Sequence, residues 1–130
     1  MELKAITPED YETVRQFLVE VGWGHRVGSS ERFCRTIQNT DRTVVAWDAS
    51  RVVGFARALC DDVSNGYISM VAVAAERRGE GIGRKLVEFL MGDDPGITWV
   101  LRAGRGSEAF WSKVGFKRSQ VAMERVRSPS

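Results

Sequence analysis

Three glycines at alternate positions, Gly79, Gly81 and Gly83, are the residues whose type and spacing point most directly to chemistry. An apolar stretch precedes them and a stretch with helical spacing follows, so they occupy a turn between a strand and a helix. Because glycine has no side chain, backbone N–H groups in such a turn can converge on an anion at the helix N-terminus. Cationic side chains nearby come from Arg77, Arg78 and Arg84. The pattern predicts a phosphate or pyrophosphate site; the alternatives are a plain strand-to-helix turn and, for the arginines, a solvated surface.

The two best-known phosphate motifs do not fit this turn. A P-loop has the pattern GxxxxGK[ST], but Gly83 is followed by Arg84, Lys85 and Leu86. A dinucleotide-binding turn has the pattern GxGxxG, and its third glycine would fall on Arg84 or Leu86. The residues after the turn are also too few for a full doubly wound sheet. The phosphate ligand therefore belongs to another class.

Composition and charge narrow the class of protein. The chain has 130 residues, of which 43% are hydrophobic and 28% are charged, as in an ordinary single domain with its own core. The formal net charge is only +2 and basic residues are interspersed with acidic ones, so we expect neither a nucleic-acid partner nor a membrane partner. No apolar run approaches the roughly 20 residues of a membrane-spanning helix, and the first ten residues lack the layout of a signal peptide.

The cysteines and the histidine argue against a disulfide and against a metal site. Cys34 and Cys60 lie far apart and outside any CxxC pattern, so we expect core thiols without a disulfide and a cytoplasmic location. His25 is the single histidine, and no cluster of ligand residues surrounds it. We therefore expect no metal site.

The elements around the glycine turn follow from periodicity and turn signals. In chain order they are a strand, two helices, three strands, a helix, a strand, a short helix and a strand. Residues 67–74 form a nearly continuous apolar strand, and residues 115–126 are the predicted final strand. The helix after the glycine turn covers residues 81–91. Its predicted inner stripe consists of Ile82, Leu86, Phe89 and Leu90. This order indicates a mixed α/β domain.

Three segments together resemble the GNAT superfamily of N-acyltransferases. Residues 78–83, RGEGIG, match the family's [Q/R]xxGx[G/A] signature, and Val71-Ala72-Val73 is similar to its central strand. Residues 109–116, AFWSKVGF, resemble its later FYxKxGF segment. The resemblance implies a single GNAT N-acetyltransferase domain over residues 1–130, with a mixed central β-sheet of about six to seven strands flanked by about four helices. It also implies an enzyme that transfers acetyl from acetyl-CoA to a primary amine of a small molecule or a protein.

The resemblance assigns the residues that bind acetyl-CoA, which is a co-substrate; no metal is implied. In the family the pyrophosphate sits on backbone amides of the signature loop. The matching residues here are Arg78, Gly79, Gly81, Ile82, Gly83 and Arg84. The pantetheine arm pairs with the central strand, which corresponds to Val71 and Val73. The N–H of Val71 corresponds to the donor that meets the thioester oxygen.

The catalytic base departs from the family pattern. Related enzymes often have a carboxylate on the central strand just before the oxyanion donor, where this chain has Ser69 and Met70. Asp61 and Asp62 in the preceding turn are the nearest acidic candidates, and Tyr67 is a candidate relay through water. The alternatives are a solvated hairpin turn for the two aspartates and strand packing for the tyrosine.

The general acid departs as well, because Trp111 occupies the position where the family often has a tyrosine. An indole does not donate a proton to a thiolate in the same way. The CoA thiol, with a pKa near that of cysteine at about 8.5, is a good leaving group, so direct attack by the amine without a covalent enzyme intermediate is predicted. The departures at Met70 and Trp111 keep open a second function, a non-catalytic CoA- or acyl-CoA-binding sensor or regulatory domain with the same fold.

The loop of residues 22–28 lies where the resemblance places the acceptor pocket. Trp23 and His25 are therefore candidate substrate-binding residues, together with Trp111. A packed loop between two helices, and core packing of Trp111, are the alternatives. Because the final strands of such domains often pair between subunits, a homodimer is also expected.

Overall fold

The fold is organised around one mixed sheet whose five strands follow one another in chain order. A computed structural model describes residues 1–129. The strands are β1 (Glu2–Lys4), β2 (Arg42–Asp48), β3 (Arg51–Cys60), β4 (Asn65–Val73) and β5 (Thr98–Leu101). Neighbours from β1 to β4 are antiparallel, and β5 pairs with β4 in parallel. A parallel pair needs a crossover connection, and the glycine turn lies in that connection.

The helices flank this sheet. Residues 1–129 form α1 (Tyr11–Leu18), α2 (Gly24–Val27), α3 (Ser30–Gln38), α4 (Ile82–Met91) and α5 (Glu108–Lys113). Shorter helical turns precede α1 (Pro8–Asp10), join α1 to α2 (Val19–Trp23) and follow β4 (Ala75–Arg77). None of these helices has the length and apolar character needed to cross a bilayer. The mixed α/β architecture is the one expected from the sequence.

The first three helices contribute an apolar layer on one face of the sheet. Phe33 of α3 meets Phe55 of β3 edge to face, with ring centroids 6.3 Å apart. α3 begins where the Ser29 hydroxyl accepts a hydrogen bond from the N–H of Arg32. The buried residues of α1 are Val14, Phe17 and Leu18. This layer fixes the position of α2, which reaches the open part of the sheet described below.

α4 packs on the opposite face, and the predicted inner stripe is wrong at one position. Ile82, Leu86 and Leu90 are buried as expected, but Phe89 is 46% exposed and Val87 is buried instead. Phe89 and Val87 lie on opposite flanks of the stripe. Periodicity identifies the stripe, but which flank the sheet covers depends on tertiary packing.

The sheet is smaller than the six to seven strands expected, because residues 115–126 do not form the predicted final strand. The last of the five strands in residues 1–129 ends at Leu101. From the end of α5 to residue 129 there is no regular element, and Val121 and Met123 are 88% and 97% exposed. A strand becomes stable when another strand pairs with it and one face is covered. In the described part of the chain this segment has no pairing strand, so its apolar residues alone do not form one.

Candidate active site

A bulge in β4 opens the sheet. Arg57 and Ala58 are adjacent in β3, yet their partners in β4 are Met70 and Ile68. Ser69 is therefore an extra residue between two successive pairs, as in a β-bulge. The bulge also reverses the alternation, so Met70 and Ile68, although two residues apart, point to opposite faces of the sheet.

β4 and β5 separate next to this bulge. Their parallel pairing ends with Ile68 opposite Leu101, although β4 itself continues to Val73. Residues 69–73 keep β3 as a neighbour but have no strand on the β5 side within residues 1–129. Their backbone N–H and C=O groups on that side form an open strand edge inside the sheet, with which an extended ligand can pair.

The separated strands enclose a cleft of ≈ 560 Å³. Its lining comes from β4, from α2, from the glycine turn at the start of α4, and from the loop and helix after β5. The cleft brings together six residues that were predicted as site residues: Trp23, Val71, Val73, Arg78, Gly83 and Trp111. The predicted pantetheine strand and the predicted phosphate turn therefore border the same space.

The glycine turn has the backbone of an anion site. Gly79 and Gly81 have φ angles of +84° and +85°, a conformation that favours glycine. At Gly83 a Cβ would lie 3.0 Å from Cε1 of Phe110, so glycine also allows α5 to approach the turn. In the described chain no side chain caps α4, and the N–H groups of residues 82–84 lack an acceptor within the helix. These groups and the positive end of the helix dipole face a prospective phosphate.

The three arginines of the turn have different environments. Arg77 donates to Asp48 at 2.7 Å and to Glu80 at 2.8 Å, and Glu80 first and Asp48 second raise its pKa. Arg84 is exposed and ion-paired within α4 at 3.4 Å. Arg78 lines the cleft and takes part in none of the ion pairs among residues 1–129. Of the three, Arg78 is the guanidinium best placed to neutralise a bound phosphate.

Asp61, one of the two predicted bases, lies in the turn before β4 and outside the cleft. Its carboxylate accepts hydrogen bonds from the N–H groups of Val63, Ser64 and Asn65 at 2.8, 2.7 and 3.0 Å. These bonds, with that of Ser64 the strongest and those of Asn65 and Val63 next, hold the pKa of Asp61 below its usual range. A carboxylate held in its charged form by its own turn is a weak proton acceptor.

Asp62 and Tyr67 also do not line the cleft, although Tyr67 is adjacent to Ile68, which does. Asp62 forms an ion pair with Arg42 at 2.8 Å. Tyr67 stands opposite Val100 in the paired part of β4 and β5 and lines a separate, shallow depression next to Asp61. A catalytic role for these three residues stays a prediction that their placement does not support.

Trp111 belongs to both the core and the cleft. It is 9% exposed and packs edge-on against Phe110 and Phe116, with centroid separations of 4.9 and 5.4 Å. It also contributes to the cleft lining. Its burial fits the interpretation as a core residue, and its place in the cleft lining fits the interpretation as a substrate-binding residue.

Trp23 and His25 lie apart, although they are two residues from one another in the sequence. Trp23 lines the cleft, and the guanidinium of Arg26 lies 5.1 Å from its ring centroid. His25 is exposed and lines a different cavity, on the α3 side of the sheet.

Sequence reasoning did not single out several contributors to the cleft, among them Ser69, Arg26, Arg102 and Arg105. Ser69 is the bulged residue, and no sequence pattern indicates it, because a bulge is a property of the register between two strands. Arg26 lies in the predicted acceptor loop, but it belongs to no motif that would indicate a binding residue. Among the described residues, the cleft lining contains no Asp, Glu, His, Tyr or Cys. Elsewhere in residues 1–129, no group of three or more His, Cys, Asp or Glu side chains is arranged to hold a metal ion.

The geometry agrees with comparisons to known proteins. The family model described as an acetyltransferase (GNAT) domain matches residues 39–118, which include the bulge, the glycine turn and all of the cleft lining except Trp23 and Arg26. The chain therefore belongs to the GNAT acetyltransferase family, and the resemblance found in the sequence is confirmed. It carries an acetyltransferase domain.

Individual relatives agree with this assignment. An N-acetyltransferase described as ycf52-like, from Prochlorococcus marinus, is 30% identical over 114 residues; the match covers 82% of this chain but 62% of the relative. A probable acetyltransferase from methicillin-resistant Staphylococcus aureus has a similar structure, with a TM-score of 0.81, 18% identity and coverage of 99% and 98% of the two chains. Glucosamine-6-phosphate N-acetyltransferase from Arabidopsis thaliana has a TM-score of 0.74, 18% identity and 98% coverage of both chains. At these identities the two structures confirm the fold.

Proposed function

We propose that the protein is an N-acetyltransferase that moves acetyl from acetyl-CoA to a primary amine of a small molecule or a protein. The observation that carries the proposal is the end of the β4–β5 pairing at Ile68 and Leu101, beside the glycine turn. That arrangement provides an open strand edge for an amide-containing arm and an N–H cradle for a pyrophosphate. AAC(6')-Iy, a structural relative with a TM-score of 0.74, 16% identity and 98% coverage of both chains, was solved with a CoA bisubstrate analogue.

The residues of the cleft fit acetyl-CoA as the donor. The N–H groups of residues 78–84, supported by Arg78, would hold the pyrophosphate, and the edge at Val71 and Val73 would pair with the pantetheine amides. The N–H of Val71 would donate to the thioester oxygen, and a single such donor contributes about 2.7–4 kcal/mol in enzymes generally. When bound, acetyl-CoA supplies an activated acyl carbon and a leaving thiolate.

We propose direct attack by the neutral amine. The new C–N bond forms as the C–S bond breaks, the electron pair leaves with sulfur, and the amine proton passes to water. The cleft lining among the described residues contains no side chain with a pKa suited to a base. The cleft would therefore accelerate the reaction by positioning the amine and by polarising the carbonyl, and solvent would accept the proton.

The lack of a base in the cleft is also the observation that favours the second candidate, a CoA-binding domain without catalysis. One experiment distinguishes acetyl transfer from CoA binding without catalysis. Acetyl-CoA and a panel of primary amines are incubated with the protein, and free CoA thiol is measured over time. Amine-dependent thiol release supports the enzyme; tight acetyl-CoA binding with no release above the protein-free rate supports the sensor.

We further propose a cytoplasmic location, because Cys34 and Cys60 are both free thiols in the structure, as in proteins of a reducing compartment. The expected homodimer stays a prediction, and sedimentation equilibrium of the full chain tests it.

A further inference from the structure

A second cavity, of ≈ 360 Å³, lies beside the cleft and is lined by several cationic side chains. We call it the arginine pocket and define it by Arg26, Arg32, Arg57 and Arg127, with His25 at its rim. Among the described residues the lining contains no Asp and no Glu. All of its permanently charged groups are therefore positive.

Arg57 is the most deeply placed of these residues. It lies on β3 opposite Met70, and its Nη1 donates to the Thr40 hydroxyl at 3.0 Å. Its Nε is buried and has no hydrogen-bond partner among residues 1–129. Burial first, and then the positive charges of Arg26 and Arg127, lower its pKa. A partly buried guanidinium without a carboxylate partner is unfavourable, and an anion bound beside it would offset that cost.

Seven arginines elsewhere in the molecule are ion-paired, whereas Arg35, Arg78, Arg105 and Arg125, like the arginines of the pocket, form no ion pair within residues 1–129. Arg15, Arg42, Arg51, Arg77, Arg84, Arg102 and Arg118 each have a carboxylate partner. In residues 1–129, none of the four arginines of the pocket has one within 4.0 Å. What distinguishes the pocket is that it concentrates unpaired positive charge around one cavity.

The pocket lies on the face of the sheet that carries α3, opposite the face that carries α4. Gly54 of β3 faces α4, because a Cβ added there would lie 3.1 Å from Cδ1 of Leu86. Arg57, three residues further along β3, points to the opposite face, where Phe55 meets Phe33 of α3. An anion in the pocket is therefore separated by the sheet from the glycine turn that precedes α4.

The pocket nevertheless communicates with the cleft. Arg26 and Met70 line both cavities, and Met70 follows the bulged Ser69 on β4. A molecule that reaches the open edge of β4 from the α3 side would thus place one end near Val71 and the other end among the arginines.

We propose that the arginine pocket binds a carboxylate or phosphate group of the acceptor, so that the substrate is a primary amine that also carries an anion. Arginine suits this task because its planar fork pairs with carboxylate and phosphate in bidentate geometry. The inference rests on the proposed acetyl transfer for the nature of the ligand, but the anion site itself rests on the geometry of Arg57 and its neighbours.

The kinetic test uses matched acceptors with the full chain. One pair is an α-amino acid and its α-carboxamide, and another is an amino sugar phosphate and the unphosphorylated amino sugar. The anionic member of at least one pair should have a kcat/KM about tenfold or more above its neutral counterpart, as for a hydrogen bond to a charged group. Arg57→Met should abolish that preference and leave the neutral acceptor and the KM for acetyl-CoA unchanged. The exposed Arg35 on α3 lines neither cavity, so Arg35→Gln should keep the wild-type preference.

A binding test separates failure of this inference from failure of the proposed function. With the cleft saturated by CoA, inorganic phosphate and sodium acetate are titrated calorimetrically into wild type, Arg57→Met and, as a second variant that keeps the charge, Arg57→Lys. Arg57-dependent binding of either anion supports the pocket even if no amine is acetylated. If neither anion binds in an Arg57-dependent way and anionic acceptors have no advantage, the proposal is overturned, whether or not turnover is observed.

Discussion

Ile68 of β4 and Leu101 of β5 form the last backbone pair between these two parallel strands, and the bulged Ser69 follows Ile68 directly. The ladder thus stops five residues before β4 ends at Val73. Because the glycine turn begins shortly after Val73, the open edge and the anion cradle form one continuous surface. The proposed donor site would depend on this irregularity of the sheet as much as on the signature loop.

Gly83 and Phe110 should be energetically coupled. Alanine is favoured over glycine by about 1 kcal/mol in a helix interior, but in Gly83→Ala the new Cβ would lie 3.0 Å from the Phe110 ring. We expect Gly83→Ala to destabilise the wild-type protein and to be better tolerated in a Phe110→Leu background. Urea unfolding of the four proteins in this cycle should give a coupling of about 0.5–3 kcal/mol, whereas additive effects would show that the ring shifts freely.

Trp111 should contribute to stability more than to donor binding. Removal of a buried large aromatic side chain costs about 3–5 kcal/mol, so Trp111→Ala should lower the free energy of unfolding by an amount in this range. Trp111→Phe keeps the aromatic contacts with Phe110 and Phe116 and should lose less. The KM for acetyl-CoA, measured in the Phe variant, should stay within a few-fold of wild type; a large rise with little loss of stability would make Trp111 a ligand-binding residue instead.

The stability contributed by Asp61 should depend on pH. Its pKa is lowered in the folded state by the N–H groups of its turn, while in the unfolded chain an aspartate titrates near about 3.9. The contribution is therefore complete above that value and is lost as the pH falls toward the folded pKa. Asp61→Asn should lower the urea midpoint clearly at pH 6 and less at pH 3. Asp93→Asn, at an exposed carboxylate in another turn, is the matched control, and an equal loss for Asp61→Asn at both pH values would contradict the assignment.

The pH–rate profile should not depend on Asp61 or Asp62. Both carboxylates lie outside the cleft, and each already has partners in or near its turn. If solvent accepts the amine proton, kcat/KM should rise with pH toward the pKa of the acceptor, and Asp61→Asn and Asp62→Asn should give parallel curves. A variant whose rate falls mainly below the acceptor's pKa would restore that aspartate as the base.

The parts of this site that follow local rules were predictable from the sequence, and those that depend on register were not. The positive φ angles at Gly79 and Gly81 and the uncapped start of α4 follow from glycine spacing alone. The bulge at Ser69 arises from how β3 and β4 align, and no single segment encodes it.

The structure does not support the predicted role of Asp61 and Asp62, and it contradicts the predicted final strand, for related physical reasons. Asp61 and Asp62 are close to β4 in sequence, but at roughly 3.3 Å per residue the strand places its start about 20 Å from Val71. Residues 115–126 contain several apolar residues, but a strand also needs a pairing partner, which local composition does not supply. The first prediction took neighbourhood in the sequence for neighbourhood in space, and the second took local composition for strand pairing.

Calorimetric titration of acetyl-CoA into wild type, Gly81→Glu and Gly81→Ala tests the central claim most directly. Both variants share the strain of a side chain at a φ of +85°, which costs roughly 1–2 kcal/mol of stability, and a Cβ there has no neighbour within 4 Å among the described residues. Only glutamate adds a negative charge to the cradle. We predict that wild type binds, that Gly81→Ala binds within a few-fold of wild type, and that Gly81→Glu does not bind while remaining folded by circular dichroism. Equal affinity of all three proteins, or no binding by wild type, would contradict the assignment of the glycine turn as the pyrophosphate site.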